Sequence, residues 1–378
     1  MRTYLDFCDR ERAWLLETTT VLTRLESPTP DKPAVDRCGS ELSRRLKAIG
    51  ATVETIVMRQ SGNHLRAVIG SGQPSVMILG HFDTVWPVGS VARMRMREED
   101  GRLYGPGVFD MKAGIAIAML AARAVMSTGR LGDRRLVMVF TADEERGSGS
   151  SRKIVEAEAL RSDAVFVLEP SLPGGAVKTG RKGCGEFELR IRGIPAHAGV
   201  DPTQGASAID ELALQVSALG ALRDPGSGVS VNVGLIEGGE RPNVIAEHAR
   251  AVIDVRAVTR DDARRAEEAI RALQPTLDGT SLQVNGGFSR PPLERTPAVA
   301  RLYERAQTLA GELGRPLGEG STGGGSDGNF TAALGVPTLD GLGAVGGGAH
   351  ALHEHVEIEH LTWRAALLAG LIERFDAL

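Results

Sequence analysis

Three short apolar runs, each ending in acids or a histidine, punctuate the first half of the chain: "VMILGHFDTV" at 76–85, "RLVMVFTADEE" at 135–145 and "AVFVLEPS" at 164–171. Short continuous apolar runs predict strands buried on both faces. Between the first two lies "MKAGIAIAMLAARAVMSTG" (111–129), whose length and alanine content predict a helix stopped by Gly129. Strands alternating with helices imply an α/β domain with a mostly parallel sheet and helices on both faces. Ligands of such sheets bind beyond the carboxyl ends of the strands. His81, Glu144 and Glu169 fall at those ends, and Asp110 in the loop that opens the helix.

From about Arg181 the rhythm changes to strict alternation. "EFELRIRG" reads as a strand with one wet face, and "GASAIDELALQVSALGAL" as a helix. The strands "SVNVGLIEG" and "HARAVIDVRAV", the amphipathic helix "RDDARRAEEAIRALQPTL" and the strand "SLQVNGG" follow. The order βαββαβ is that of a ferredoxin-like split sandwich. From about Pro291 the α/β style returns: a helix "AVARLYERAQTLAGEL", a loop "GEGSTGGGSDG", a strand near "VPTLDGLG" and a helix "TWRAALLAGLIERFDAL". The expectation is a larger domain made of 1–180 and 291–378, interrupted by an inserted domain over 181–290.

Composition narrows the function classes. The 378 residues are 42% hydrophobic and 24% charged, with a net charge of −4 from 44 basic and 48 acidic side chains. That balance offers no electrostatic footprint for nucleic acid or an anionic membrane. Cys8, Cys38 and Cys184 have no CxxC spacing, which fits a reducing compartment. The start "MRTYLDFCDRERAWLLE" has no apolar signal core, and no run is long enough for a bilayer, so a cytoplasmic location is expected.

Five clusters carry candidate chemistry: "GHFDT", "GPGVFDMKAG", "TADEERGSGS", "FVLEPS" and "GGGAHALHEHVEI". Each offers a carboxylate or imidazole at a strand end or tight loop. A pair of divalent cations needs donors of this kind, with one carboxylate shared between both ions. His81 suits one ion, with Asp83 as the carboxylate that fixes its ring tautomer. In the doublet Glu144-Glu145, adjacent residues leaving a strand point opposite ways. One can hold a metal while the other faces water as a general base. Taken singly, a strand-end histidine is more often a structural hydrogen-bonder and an acidic doublet a solvated surface; convergence of five clusters on one rim favours the metal site. The glycine loops carry no P-loop, since no Lys-Ser/Thr follows them, and "GPG" at 105–107 is no dinucleotide fingerprint.

On these motifs nearly the whole chain resembles the di-zinc exopeptidase family that includes carboxypeptidase G-type glutamate carboxypeptidases, acetylornithine deacetylase, succinyl-diaminopimelate desuccinylase and aminoacylases. The resemblance implies that the inserted segment is a lid or dimerisation domain. It implies that His81 and Glu169 bind one zinc, Glu145 and His350 the other, and that Asp110 bridges them. Glu144 is then the general base, Asp83 orients His81, and Asp110-Met111 occupies a position where the family commonly has a cis peptide. Among His350, His353, His355 and His360 the resemblance points to His350, with Glu354 as the acid four residues on and Val356 as the apolar residue two further.

In the inserted domain, "GIPAHAGVDP" resembles the family's histidine element, so His197 is expected to polarise the scissile carbonyl, often in the partner subunit's site. "GGERPNVIAE" offers Asn243. Arg256 in "VIDVRAV" and Arg290 in "GFSRPPL" are either substrate-carboxylate clamps or salt bridges of the lid. Gly324, Gly325 and Ser326 in "STGGGSDGNF" are expected to line the substrate pocket. The resemblance is strongest to the carboxypeptidase G type. It implies release of a C-terminal residue such as glutamate from peptides or from N-acyl or pteroyl substrates, by two zinc ions (cobalt or manganese as substitutes) in a homodimer. An N-acyl amino acid deacylase or desuccinylase is the alternative. An aminopeptidase needing a free α-amine, or a non-catalytic binding protein with a broken ligand set, would be told apart by substrate and ligand chemistry.

Overall fold

The computed structural model describes residues 1–224 and 226–375, so the last three residues of the expected C-terminal helix lie outside the described part. The chain separates into two compact units, one of residues 1–179, 295–321 and 326–378 and one of 180–294 and 322–325. Residues 291–294 and 322–325 thus group with the second unit, where the sequence reading had them in the larger domain. The cause is local: Arg181 exchanges both backbone hydrogen bonds with Leu293, and its guanidinium donates to the carbonyls of Gly324 and Gly325 at 3.1 and 3.2 Å.

The first unit is built on a six-stranded sheet in the order Thr52–Ile56, His64–Ile69, Arg135–Thr141, Ser75–His81, Ala164–Val167 and Thr338–Leu339. The last four strands run parallel, and the first two add an antiparallel margin. Every residue of Ser75–His81 is buried, because its side chains alternate between two cores. Val76 and Ile78 face the larger core with helix Ala113–Ser127, while Met77 and Leu79 pack with Val155 and Ala159 of helix Arg152–Ala159. Neither face meets water, which is why this strand reads as a continuous apolar run.

Helix Ala113–Ser127 is buried almost all round, against helices Arg12–Arg24 and Ile358–Arg374 as well as the sheet, so small alanines suit it. A Cβ on Gly114 would stand 2.4 Å from the carbonyl oxygen of Leu168, so this close approach requires glycine. Gly129 stops the chain just past the helix at a φ of 67°. The C-terminal helix begins at Ile358, earlier than the sequence pattern marks.

Arg364 of that helix is buried and has no acidic partner among the described residues. Its guanidinium donates to the carbonyls of Gly343 and Gly175, each at 2.9 Å, and of Gly341. Burial alone pulls its pKa down to about 9. Arg364→Leu leaves three carbonyls without this donor. It should destabilise the protein by roughly 3 kcal/mol or more, lowering Tm by several degrees; an unchanged melting curve would show that the carbonyls find other donors.

The second unit holds a four-stranded antiparallel sheet in the order Ser230–Gly238, His248–Ala257, Gly183–Arg192 and Ser281–Arg290. Helices Ala208–Ala221 and Arg260–Arg271 complete a β-α-β-β-α-β chain order. Phe187, Leu189, Ile191, Ile253 and Val255 form one apolar face with Leu212, Leu219 and Ile270. Ser207 and Thr259 cap the two helices through the N–H groups of Asp210 and Asp262. No helix among the described residues is long and apolar enough to cross a membrane.

Candidate metal centre

At the carboxyl ends of the parallel strands the structure brings five predicted side chains of the first unit into two overlapping clusters. His81, Asp110 and Glu169 form one, and Asp110, Glu145 and His350 the other. Asp110 presents one oxygen to each imidazole. Its Oδ1 lies 3.2 Å from His81 Nε2 and its Oδ2 lies 3.5 Å from His350 Nε2. Glu169 Oε1 is 3.6 Å from His81 Nε2, and Glu145 Oε2 is 3.3 Å from His350 Nε2.

These spacings match what a cation would impose. Two donors about 2.0–2.1 Å from a tetrahedral zinc lie roughly 3.3–3.4 Å apart, whereas a charge-assisted hydrogen bond closes to about 2.7–2.9 Å. The second oxygen of Glu145, Oε1, is buried with no hydrogen-bond partner. Three carboxylates and two imidazoles therefore offer a fitting donor set for two divalent ions. The cluster is closed at His81, whose side chain is 2% exposed, and open at His350, which is 51% exposed. His350 adopts a left-handed backbone at φ 61°, a conformation that costs a non-glycine residue about 1–2 kcal/mol.

Asp83 organises both halves. His81 Nδ1 donates to the backbone carbonyl of Asp83 at 3.0 Å, closer than its carboxylate at 3.4 Å. The orienting group is thus chiefly the main chain of Asp83, and the tautomer it selects leaves Nε2 as the ligand atom. The buried carboxylate instead accepts the N–H groups of Glu144 and Glu145 at 3.3 and 3.2 Å and the hydroxyl of Thr29 at 2.7 Å. Glu144 and Glu145 do not extend the strand, which stops at Thr141. They sit in the single 3₁₀ turn Glu144–Arg146, where successive side chains diverge by about 120° rather than alternating.

Glu354 is a group whose work sequence reasoning missed. It is buried, and it accepts the N–H groups of Gly107, Phe109 and Asp110 at 2.8, 2.9 and 3.1 Å and Trp86 Nε1 at 2.7 Å. The loop that carries Asp110 is thereby fixed, and its Asp110-Met111 bond is cis. Of the other histidines, His353 is exposed and His355 stacks on Tyr104. His360 lies near Glu357 and Glu359, but its Nδ1 already accepts Trp363 Nε1–H at 2.9 Å. A neutral ring must then keep its proton on Nε2, the atom that faces the acids, which disfavours a cation there.

Electrostatics tie the five residues together. Asp110 and then Glu145 push the His350 imidazole up to about 10. Burial works against a proton on His81, yet Asp110, Asp83 and Glu169 outweigh it and hold that imidazole well above the ordinary value. Burial would raise Asp110, but the two imidazoles keep its carboxyl below the usual range; burial raises Glu145. Cations binding both imidazoles must displace their protons, so affinity should rise with pH through neutrality, by about tenfold per pH unit for each proton released. Calorimetry in buffers of different ionisation heat should register that release; a heat independent of buffer would refute it.

In the second unit, His197 is exposed and its Nδ1 accepts the N–H groups of Gly199 and Val200 at 3.1 and 3.2 Å, leaving Nε2–H as donor. Asn243 is beside it, its carbonyl accepting Ala198 N–H at 3.0 Å. Arg256 is ion-paired through two nitrogens with Asp254 and touches Cys184, which is the salt-bridge alternative. Gly325 lies so close to Arg290 and Cys184 that a Cβ would meet each at 2.9 Å, with Gly324 next to it. Ser326 departs from expectation. It is buried, donates to Asp340 Oδ2 at 2.7 Å and accepts Gly328 N–H at 3.1 Å, so it builds the loop instead of lining a pocket.

Residues 77–374 match the model of Peptidase family M20/M25/M40. The chain is 28% identical over 370 residues to carboxypeptidase G2 of Pseudomonas sp. (strain RS-16), covering 96% of this chain and 89% of that protein. It is 30% identical over 378 residues to succinyl-diaminopimelate desuccinylase of Xanthomonas euvesicatoria pv. vesicatoria (strain 85-10), covering 95% and 98%. Among solved structures, the aminopeptidase PepT from Bacillus cereus ATCC 10987 shares the fold with a TM-score of 0.83 at 23% identity, over 96% of this chain and 98% of that one.

Proposed function

The chain belongs to peptidase family M20/M25/M40, and from that premise we propose that it is a di-zinc carboxypeptidase. Its reaction is hydrolysis of the amide bond to a C-terminal amino acid, with glutamate preferred, in peptides or N-acyl and pteroyl substrates. The observation that carries this reading is the Asp110 carboxylate facing His81 with one oxygen and His350 with the other. In that assignment His81 and Glu169 hold one zinc, Glu145 and His350 the second, and Asp110 both; cobalt or manganese would suit the same donors.

When bound, the ions supply Lewis acidity that makes water acidic enough to react near neutral pH. Glu144 takes the proton of the attacking water and delivers it to the leaving amine. Asp83 keeps the His81 ring in its ligating tautomer and docks the backbone of Glu144. His197 donates Nε2–H to the carbonyl oxygen as negative charge develops there, a contribution of roughly 3–4 kcal/mol for a well-placed donor. Arg290, Asn243, Gly324 and Gly325 are assigned to substrate binding. We read the second unit as a ferredoxin-like lid and dimerisation domain. Its edge strand Ser230–Gly238 exposes Leu235 and Ile236, which supports a homodimer. Three free thiols support a reducing, cytoplasmic setting.

A second reading, an N-acyl amino acid deacylase or desuccinylase, is favoured by the 30% identity to the desuccinylase. The zinc-loaded enzyme assayed on folyl-glutamate, N-acetyl and N-succinyl amino acids separates the two. Glutamate release from the folyl substrate supports the first; activity confined to the other substrates selects the second. A strict need for a free α-amine would overturn both.

A further inference from the structure

Behind the turn bearing Glu144 and Glu145 lies a buried histidine outside both clusters. His64 opens strand His64–Ile69, and its ring is fully buried. Nδ1 accepts the backbone N–H of Ala142 at 3.1 Å, the residue just past strand Arg135–Thr141. A nitrogen that accepts an N–H carries no proton, so the neutral ring holds its hydrogen on Nε2. Burial lowers the pKa of this ring and favours the neutral form.

Nε2 faces Ser150 Oγ at 3.0 Å. Ser150 Oγ lies 2.6 Å from Asp143 Oδ2, and that oxygen also accepts the N–H groups of Ser150 and Ser151 at 2.7 and 3.3 Å. Ser150 has one hydrogen and gives it to the carboxylate, so it receives from His64 and from Ser61 Oγ at 2.8 Å. The hydrogens therefore run in one sense, from His64 to Ser150 to Asp143. The ends of this chain grip residues 142, 143 and 150, and Glu144 and Glu145 project from between them. On the far side, the Ser148 hydroxyl donates to Asp327, pinning the same loop.

We propose that His64 is a positioning residue for hydrolysis: as the neutral Nε2–H tautomer it clamps the 142–150 loop through Ser150 and Asp143 and so aligns the Glu144 carboxylate. The alignment half rests on the reading of Glu144 as general base. A phenylalanine at position 64 fills the volume but neither accepts nor donates, whereas glutamine can do both.

The test uses the full-length, zinc-loaded protein, the substrate among the three above that the wild type cleaves, and the variants His64→Phe, His64→Gln and Ser150→Ala. His64→Phe should lower kcat by roughly 10- to 100-fold, the scale of a small misplacement of a catalytic group. KM should stay within about threefold, as for an interaction that matters in the transition state, and zinc content should not change. Amide hydrogen exchange should quicken across 142–151 and nowhere else in the first unit. His64→Gln should recover most of the rate, and the double variant His64→Phe/Ser150→Ala should be no worse than His64→Phe. The imidazole nitrogen shifts of the wild type should report hydrogen on Nε2. Hydrogen on Nδ1, unaltered exchange in 142–151, or exchange raised evenly through the unit would each overturn the clamp. If His64→Phe does not fold, His64→Gln and Ser150→Ala carry the same comparison. Should Glu144→Gln prove fully active, the base assignment falls, while the exchange and nitrogen-shift measurements still decide the clamp.

Discussion

Glu144→Gln should bind its full complement of zinc and turn over about 10²- to 10⁴-fold more slowly than the wild type, the range for loss of a general base. The reason for expecting so clean a separation is in the backbone. What ties Glu144 to Asp83 is its N–H, which the substitution leaves in place, and the same is true of Glu145. The ligand set, the turn and the His81 tautomer should all survive. Glu144→Ala should behave alike, with KM nearly unchanged. Zinc analysis, a melting curve and steady-state kinetics on one preparation check this. A variant with normal zinc and a rate within tenfold of the wild type would remove Glu144 from the mechanism.

The second large effect concerns the shared carboxylate. Asp110→Ala should weaken zinc at both positions together, by more than the roughly 10- to 100-fold that follows loss of an outer partner, and leave no measurable hydrolysis. Glu169→Ala should weaken chiefly the ion beside His81, and Glu145→Ala the ion beside His350, because Glu169 Oε1 approaches His81 Nε2 and Glu145 Oε2 approaches His350 Nε2. The stoichiometry read by titration is therefore the discriminating result. If Asp110→Ala retains one zinc at wild-type affinity, the carboxylate is no bridge. Hydrolysis at full speed after exhaustive chelation would refute metal dependence altogether.

The central sheet was legible because burial on both faces leaves a run such as Val76–Leu79 wholly apolar, and the second unit because one wet face leaves Gly183–Arg192 alternating. The clusters were legible because ligand chemistry restricts donors to few residue types at strand ends, while the choice of Glu145 over Glu144 and of His350 among four histidines came from the family resemblance. The N-terminal helices Arg2–Arg10, Arg12–Arg24 and Lys32–Ala48 went unassigned although their buried positions recur at helical spacing (Tyr4 and Cys8; Leu15 and Leu22; Val35, Cys38, Leu42 and Leu46): isolated among charged residues, such a stripe is passed over where continuous apolar runs are sought. The 3₁₀ turn at Glu144 was missed because part of what holds it is distant in sequence: Asp83, some sixty positions away, accepts the N–H groups of Glu144 and Glu145. Ser326 was misread since a glycine-rich loop looks alike whether its hydroxyl faces a ligand or a buried aspartate such as Asp340. His64 carries no motif at all; only the pairing of its strand with Arg135–Thr141 puts it under the turn.

Glu354 gathers four N–H donors, three of them from the loop that presents Asp110. That loop owes its shape to the polypeptide itself, so a cation arrives at a finished socket and need not organise the chain around it. Unlike small zinc modules that collapse when stripped, this protein should keep its fold through repeated unloading and reloading, and exchange of one divalent ion for another should proceed without refolding.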